Sequence, residues 1–195
     1  DLPSASEKRS QYEKGKELLA EVGYHEIGMD HFALKTDSLY RAMESGSLHR
    51  NFMGYTASKT QLMIGLGVSS ISDSWYSFAQ NVKSIEEYEH LVNSDIIPIY
   101  RGHILTEEDQ IIRKHILNLM CHFETSFEKK ESRFPDLNIT LSKLEEIKND
   151  HLIEITNNKI FVTEKGRPFV RNICMAFDMH LHKKAPETRL FSMTI

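Results

Sequence analysis

The sequence predicts an α+β protein in two parts: an α/β layer over residues 1–100, then a helical, winged-helix-like module over residues 101–195. Three observations lead there. Helix and strand patterns alternate through the first hundred residues, the order that builds a layer with parallel strands. The chain changes character at Pro98 and Arg101-Gly102. Beyond that point the order is helix, helix, hairpin, helix. The first part holds two good strands, which cannot close a barrel and leave long unpaired edges that a stable protein covers. It reads as unfinished.

From Ser4 to Val22, residues Tyr12, Leu18, Leu19 and Val22 fall on one side of a helix that Gly23 stops. Tyr24 to Ala33 alternates too poorly for a hairpin and reads as a short inner strand ending in polar groups. Thr36 caps a helix to about Glu44, ended by Ser45-Gly46-Ser47. His49 to Tyr55 crowds an imidazole, the Arg50 cation and two aromatics together without a period. That is a loop at the mouth of a sheet, where α/β proteins place their sites. Leu62 to Ser72 is apolar, uncharged and glycine-punctuated, the pattern of a strand buried on both faces. Gly65 and Gly67 then require a bulge or a ligand passing close to the backbone. An ordinary core strand with a polar lead-in is the plainer reading of the same stretch. Ser84 caps a further helix, Ile85 to about Val92.

In the second part, Thr106 and Asp109 fit a capping box. Ile112, Ile116, Leu119, Phe123 and Phe127 step at three and four residues and predict a buried stripe. A second helix covers about Leu141 to Asp150, with Leu144 and Ile147 inward. Thr156-Asn157-Asn158 turns a hairpin, since Asn tolerates positive φ. A last helix spans about Pro168 to His182, with Pro168 at its first position.

Hydrophobic content of 40% and charge of 27% over 195 residues are those of a soluble globular protein. No apolar run is long enough to span a membrane, and the N-terminus has no secretory core. A net charge of −4 gives no electrostatic reason to bind nucleic acid. The winged-helix pattern does not change that. From Glu107 onward there are 14 acidic and 14 basic residues, and the helix that would enter a groove sets Lys143 and Lys148 against Glu145, Glu146 and Asp150. The group Lys165, Arg167 and Arg171 reads as a solvated face. Cys121 and Cys174 have neither disulfide-framework nor zinc spacing and suit the cytosol.

The ten histidines predict no metal centre. His180 and His182 stand two apart on a helix and point to different faces. His115 and His122 share a face with Ile and Phe neighbours at the core margin, and no three histidines have zinc spacing. Glu26 and Asp30, beside His25 and His31, could do acid–base work, but capping and local hydrogen bonding are the favoured reading.

Three stretches taken together are more specific: Ile27-Gly28-Met29-Asp30-His31-Phe32-Ala33, HRNFMGYT at 49–56 and GLGVSSIS at 65–72. With Phe78-Ala79-Gln80-Asn81, Arg101-Gly102 and TEKGRPFVRNICMAFD at 163–178, they resemble the oxygen-independent coproporphyrinogen III oxidases, radical S-adenosylmethionine enzymes. The resemblance implies that residues 1–100 are the terminal part of a radical-SAM (β/α) barrel and 101–195 the family's C-terminal domain, a lid over the barrel mouth. It implies oxidative decarboxylation of two propionates of coproporphyrinogen III to vinyl groups, giving protoporphyrinogen IX by 5′-deoxyadenosyl radical chemistry in haem biosynthesis. The cofactors implied are S-adenosylmethionine and a [4Fe–4S] cluster. An unidentified electron acceptor, a cytoplasmic location and a monomer are also expected.

The family's CxxxCxxC cluster motif is absent from this chain, so a C-terminal fragment that is inert alone is expected. By resemblance, Ile71 binds the radical-generating S-adenosylmethionine. Phe52 and Met53 sit at active-site positions, and Met53 departs from the Gln often found there. His49 and Arg50 are candidates for the substrate carboxylates, because a guanidinium binds carboxylate bidentately. Two rivals remain. A radical haem-chaperone-like homologue predicts haem binding, and a non-catalytic winged-helix interaction module predicts nothing catalytic upstream of Asp1.

Overall fold

The structure is a computed structural model describing residues 3–180. Helix α1 (Ala5–Glu21) starts at a capping box, in which Ser4 and Glu7 each satisfy the other's backbone N–H. The backbone turns out of it at Gly23, whose φ of 89° places it at the left-handed C′ position. Strands β1 (Tyr24–Gly28) and β2 (His31–Leu34) form an antiparallel hairpin, not the single inner strand expected. The missed turn is at Met29, with φ 51°, a residue type that gives no turn signal in the sequence.

Helix α2 (Ser38–Glu44) is capped by Asp37, one residue later than expected, with the Asp37 carboxylate accepting from Leu39 N–H at 2.7 Å. Strands β3 (His49–Asn51) and β4 (Gly54–Thr56) pair as a second hairpin. β5 (Ile71–Asp73), β6 (Ser77–Asn81) and β7 (Ile99–Ile104) form one three-stranded sheet, with α3 (Ile85–Asn93) between β6 and β7. α4 (Glu107–His122), capped by Thr106 and Asp109 as expected, leads to β8 (Glu124–Ser126). α5 (Leu137–Asn149) starts earlier than expected and precedes the hairpin β9 (Ile153–Thr156) and β10 (Lys159–Val162), which turns at Asn157 with φ 50°. The sheet order there is β8-β10-β9. Pro168 lies inside a 3₁₀ segment, Glu164–Phe169, and α6 (Val170–Met175) is shorter than the helix expected to His182. His182 lies outside the described residues.

The content is α+β, but every pair among the described strands is antiparallel, which overturns the parallel layer. The chain forms two compact units, Asp1–Ser58 with Ile112–Ile195, and Lys59–Ile111. Compactness therefore follows a different line from the change of character near residue 101.

Within the first unit, one cluster joins Ile27, Ala33, Ala42, Leu48, Tyr55 and Cys121. Leu119, Leu144, Ile153, Ile160, Val170, Ile173 and Phe177 are fully buried as well. Full burial of such a side chain stabilises by roughly 1.5–3 kcal/mol. His115 is buried among Phe127, Phe134 and Phe177, deeper than the core margin expected, whereas His122 is exposed. In the second unit the buried hydrophobic residues among those described are Val82 and Leu105. No described helix is long and apolar enough to cross a membrane.

Candidate functional site

The HRNFMGYT stretch is a tight hairpin where a loop was expected. Asn51 shapes the turn by accepting the Met53 N–H on Oδ1 at 2.9 Å, an Asx turn. Gly54 follows at φ 126°, and a Cβ there would lie 2.9 Å from His31 Nε2, so only glycine fits both demands. The result leaves Phe52 half exposed and Met53 almost fully exposed at the tip. His49 is buried, 7% exposed, and pairs with Thr56 across the ladder.

Arg50 and Tyr55 are register partners and so share a face. The Arg50 guanidinium stands 4.7 Å over the Tyr55 ring, a cation–π contact. Its Nη1 is buried with no hydrogen-bond partner. Tyr55 Oη donates to the Met120 carbonyl at 2.8 Å, and the His31 ring meets Tyr55 edge-on at 5.1 Å. Gly28 makes the room, since a Cβ there would fall 2.5 Å from Tyr55 Oη. Burial pushes the Tyr55 phenol far above its usual value, so it stays a neutral donor. The hairpin thus holds a cation on an aromatic platform with one donor unspent.

The neighbouring thiols are inert. Burial pushes Cys121 up to about 11 and Cys174 up to about 12, against a smaller lowering by the Arg50 guanidinium. The carboxylates weighed for acid–base work are engaged structurally. Glu26 accepts from Tyr12 Oη at 2.9 Å and pairs with Lys16, while Asp30 sits 3.2 Å from His31 Nδ1.

In the second unit the expected strand at Leu62–Ser72 is a loop through Ser70, bridged to β5 at Met63–Asp73. Leu62, Ile64 and Leu66 are more than 60% exposed, so the apolar run is not a core strand. Asn81 from β6 explains the loop. Its Nδ2 donates to the carbonyls of Gly65 at 3.2 Å and Gly67 at 2.9 Å, and Gly67 N–H donates to Tyr88 Oη at 3.0 Å. Backbone groups that a sheet would have paired are satisfied by side chains instead. A Cβ at Gly65 would lie 2.8 Å from the Ile71 carbonyl oxygen, so that glycine makes room for the chain itself and not for a ligand. Gly67, at φ 94°, faces open space.

The structure brings His49, Arg50, Phe52 and Met53 together on one hairpin, while Ile71 belongs to the second unit, half-buried on β5 opposite Gln80. Sequence reasoning gave no role to Tyr55, Asn81 or Gln80. Only register, which short-range pattern does not supply, exposes them.

No protein-family model matches the chain. It is 40% identical to the oxygen-independent coproporphyrinogen III oxidase of Pseudomonas aeruginosa over 93% of this chain and 40% of that one. It is 38% identical to the enzyme of the same name from Escherichia coli over 95% and 42%, and 36% identical to that of Synechocystis over 100% and 43%. Among solved structures it is similar to coproporphyrinogen III oxidase (HemN) from Escherichia coli, described as a radical SAM enzyme. The TM-score is 0.85 at 37% identity, covering 93% of this chain and 43% of that one. The chain therefore has the fold of part of a radical SAM enzyme. More narrowly, it is similar to the oxygen-independent coproporphyrinogen III oxidases named above and spans about two fifths of the length of these curated relatives.

Proposed function

We propose that the chain is the C-terminal portion of an oxygen-independent coproporphyrinogen III oxidase, which converts two propionates of coproporphyrinogen III to the vinyl groups of protoporphyrinogen IX. The observation that carries this reading is the likeness to HemN, with a TM-score of 0.85 at 37% identity over 93% of the chain. On it, residues 1–100 are the end of the (β/α) barrel and residues 101–195 a winged-helix-like domain. The three-stranded sheet β8-β10-β9 beside α4 and α5 supports the second assignment.

S-adenosylmethionine would lie against Ile71 on β5, four residues after Gly67, whose backbone faces open space. When bound, it supplies the radical that starts the oxidation. The chain does not fit an iron–sulfur cluster. Cluster ligands are thiolates, and Cys121 and Cys174 are buried thiols held neutral by burial. Arg50 offers its buried, unspent Nη1 to a substrate carboxylate while Tyr55 fixes the guanidinium plane. His49, the other candidate for a carboxylate, is buried and precedes Arg50 on β3, so its side chain projects from the opposite face of the strand. Phe52 and Met53 present apolar surface at the hairpin tip and exclude water from a ligand there. The Met53 thioether has no hydrogen to donate, so it cannot replace a glutamine amide.

Anaerobic turnover by the full-length protein, with a reductant and S-adenosylmethionine, is the test, read as protoporphyrin fluorescence after oxidation. The full-length protein is expected to turn over and this chain alone is not. Arg50→Ala should raise KM for coproporphyrinogen III by roughly tenfold or more, the worth of a charge-assisted hydrogen bond. An unchanged KM removes Arg50 from the substrate site. A full-length protein that binds haem and leaves coproporphyrinogen untouched overturns the reading itself.

A further inference from the structure

The second unit carries another arginine held ready for a carboxylate. Across the sheet, Ile71 on β5 pairs with Gln80 on β6, and Gln80 with Arg101 on β7. Residues directly opposite in antiparallel strands project from the same face, so the three form one row. Gln80 is bonded at both ends of its amide. Oε1 accepts from Arg101 Nε at 2.9 Å, and Nε2 donates to the Ser69 carbonyl at 3.1 Å. Ser69 has φ 60°, in the left-handed region, and stands in the loop two residues before Ile71 opens β5. Gln80 therefore ties the guanidinium to the loop that presents Ile71.

That tie consumes the Nε–H and leaves the end-on fork, Nη1 and Nη2, without a protein partner among the described residues. The fork is the edge that takes a carboxylate through two parallel hydrogen bonds. No described carboxylate claims it, although the chain is net acidic at −4. Asp73, on the same face, is 7% exposed and accepts the Trp75 N–H at 2.9 Å. Asp109 is engaged by the Thr106 cap and lies 3.3 Å from His103 Nε2. Gly102 keeps β7 close to β6 beside this fork, since a Cβ there would lie 3.1 Å from the Phe78 carbonyl oxygen.

We propose that Arg101, held by Gln80, is a carboxylate-binding residue beside Ile71, and that Gln80 is its positioning residue. The inference rests on the placement of S-adenosylmethionine against Ile71 given above. Two ligands of this reaction bring carboxylates, the amino-acid end of S-adenosylmethionine and the propionates of the porphyrinogen.

The experiment uses the reconstituted full-length protein under anaerobic conditions and three probes: S-adenosylmethionine, methylthioadenosine, which lacks the carboxylate, and coproporphyrin III. If the S-adenosylmethionine carboxylate is the guest, Arg101→Ala weakens that ligand by roughly tenfold or more and leaves methylthioadenosine unchanged. If a propionate is the guest, the loss falls on coproporphyrin III alone. Gln80→Glu separates positioning from folding, because it keeps an acceptor for Arg101 Nε and adds a charge that competes with the ligand carboxylate. It loses the donor to the Ser69 carbonyl as Gln80→Ala does, so its thermal midpoint should fall no further than that variant's while it weakens the same probe more. Wild-type binding with no loss in Arg101→Ala overturns the inference and spares the functional reading. Wild-type failure to bind any of the three probes overturns both.

Discussion

The first unit seals Leu119, Leu144, Ile160, Ile173 and Phe177 from solvent, whereas the second buries Val82 and Leu105 and shows Leu62, Leu66, Ile97 and Ile104 to solvent. The two are held by different physics. Interlocked aromatic and aliphatic side chains fix the first, including the stacked rings of Phe127 and Phe177 with centroids 6.3 Å apart. In the second, polar groups do what packing does elsewhere. Asn81 bridges two loop carbonyls, Ser72 Oγ accepts the Gly65 N–H at 3.0 Å, and Tyr88 receives the Gly67 N–H. Apolar surface left bare beside a polar-braced loop is costly unless a ligand or more protein covers it. The second unit is thus the one that leaves its apolar surface barer around a loop braced by polar groups.

The largest expected effect tests the packed side of this contrast. Phe177→Ala should cost about 3–5 kcal/mol, because it removes a fully buried ring from a core with no slack to refill it. Leu66→Ser, at a residue 84% exposed, should stay within about 0.5 kcal/mol. Urea unfolding of the two variants measures both, and equal losses would erase the distinction between the units.

A middle-sized effect tests the braced side. Asn81→Leu keeps the bulk but deletes the Nδ2 hydrogen bonds to the Gly65 and Gly67 carbonyls and the longer one to Ser70 Oγ, at a residue only 7% exposed, for a cost of about 1–3 kcal/mol. The loss should be local. Hydrogen exchange should quicken at the amides of Gly65, Gly67 and Ser69 while the amides of α5 keep their protection. Uniform loss of protection across both units would mean that Asn81 supports the whole chain and not the loop.

How far the sequence foretold each unit follows from where the determining contacts lie. Caps and turns are local, and they were legible: Ser84 accepts the Glu87 N–H at 3.2 Å, Thr106 and Asp109 close their box, and Asn157 turns its hairpin. The α4 stripe held at Ile112 and Leu119, where the period is that of a helix against a core, whereas Ile116 is half-buried and the helix ends at His122, before Phe123 and Phe127. Leu62–Ser72 misled because composition says nothing of where the backbone groups go, and the residue that receives them lies 14 positions beyond Gly67. Met29 also hid a hairpin, since nothing in its residue type announces its left-handed φ of 51°. The HRNF residues stood out by type, yet the platform under Arg50 depends on Gly28 and Met120, far away in sequence. Family resemblance carried Ile71, and only the sheet register added Gln80 and Arg101 beside it.

The smallest expected effect is a pH dependence confined to the packed unit, and His115 supplies it. Its Nε2 donates to the Ser132 carbonyl at 2.7 Å, because a carbonyl can only accept, and Nδ1 then accepts the Thr125 hydroxyl at 2.7 Å. The surrounding rings of Phe127, Phe134 and Phe177 bring no charge, so burial lowers the imidazole from its usual value near 6.5, with the Ser132 carbonyl opposing. Protonation would make Nδ1 a donor and force the Thr125 hydroxyl to turn, at an oxygen that already receives Asn118 Nδ2 at 3.4 Å. The folded state therefore binds fewer protons than the unfolded chain. This stability is fully present above about pH 6.5 and falls away below it, towards the lowered folded value. His115→Gln should start from a lower urea midpoint yet lose less than the wild type from about pH 7 to about pH 5. Parallel curves over that range would mean that the imidazole takes up its proton as readily in the folded state as in the unfolded chain, and the packed unit would then tolerate a charge that its aromatic walls argue against.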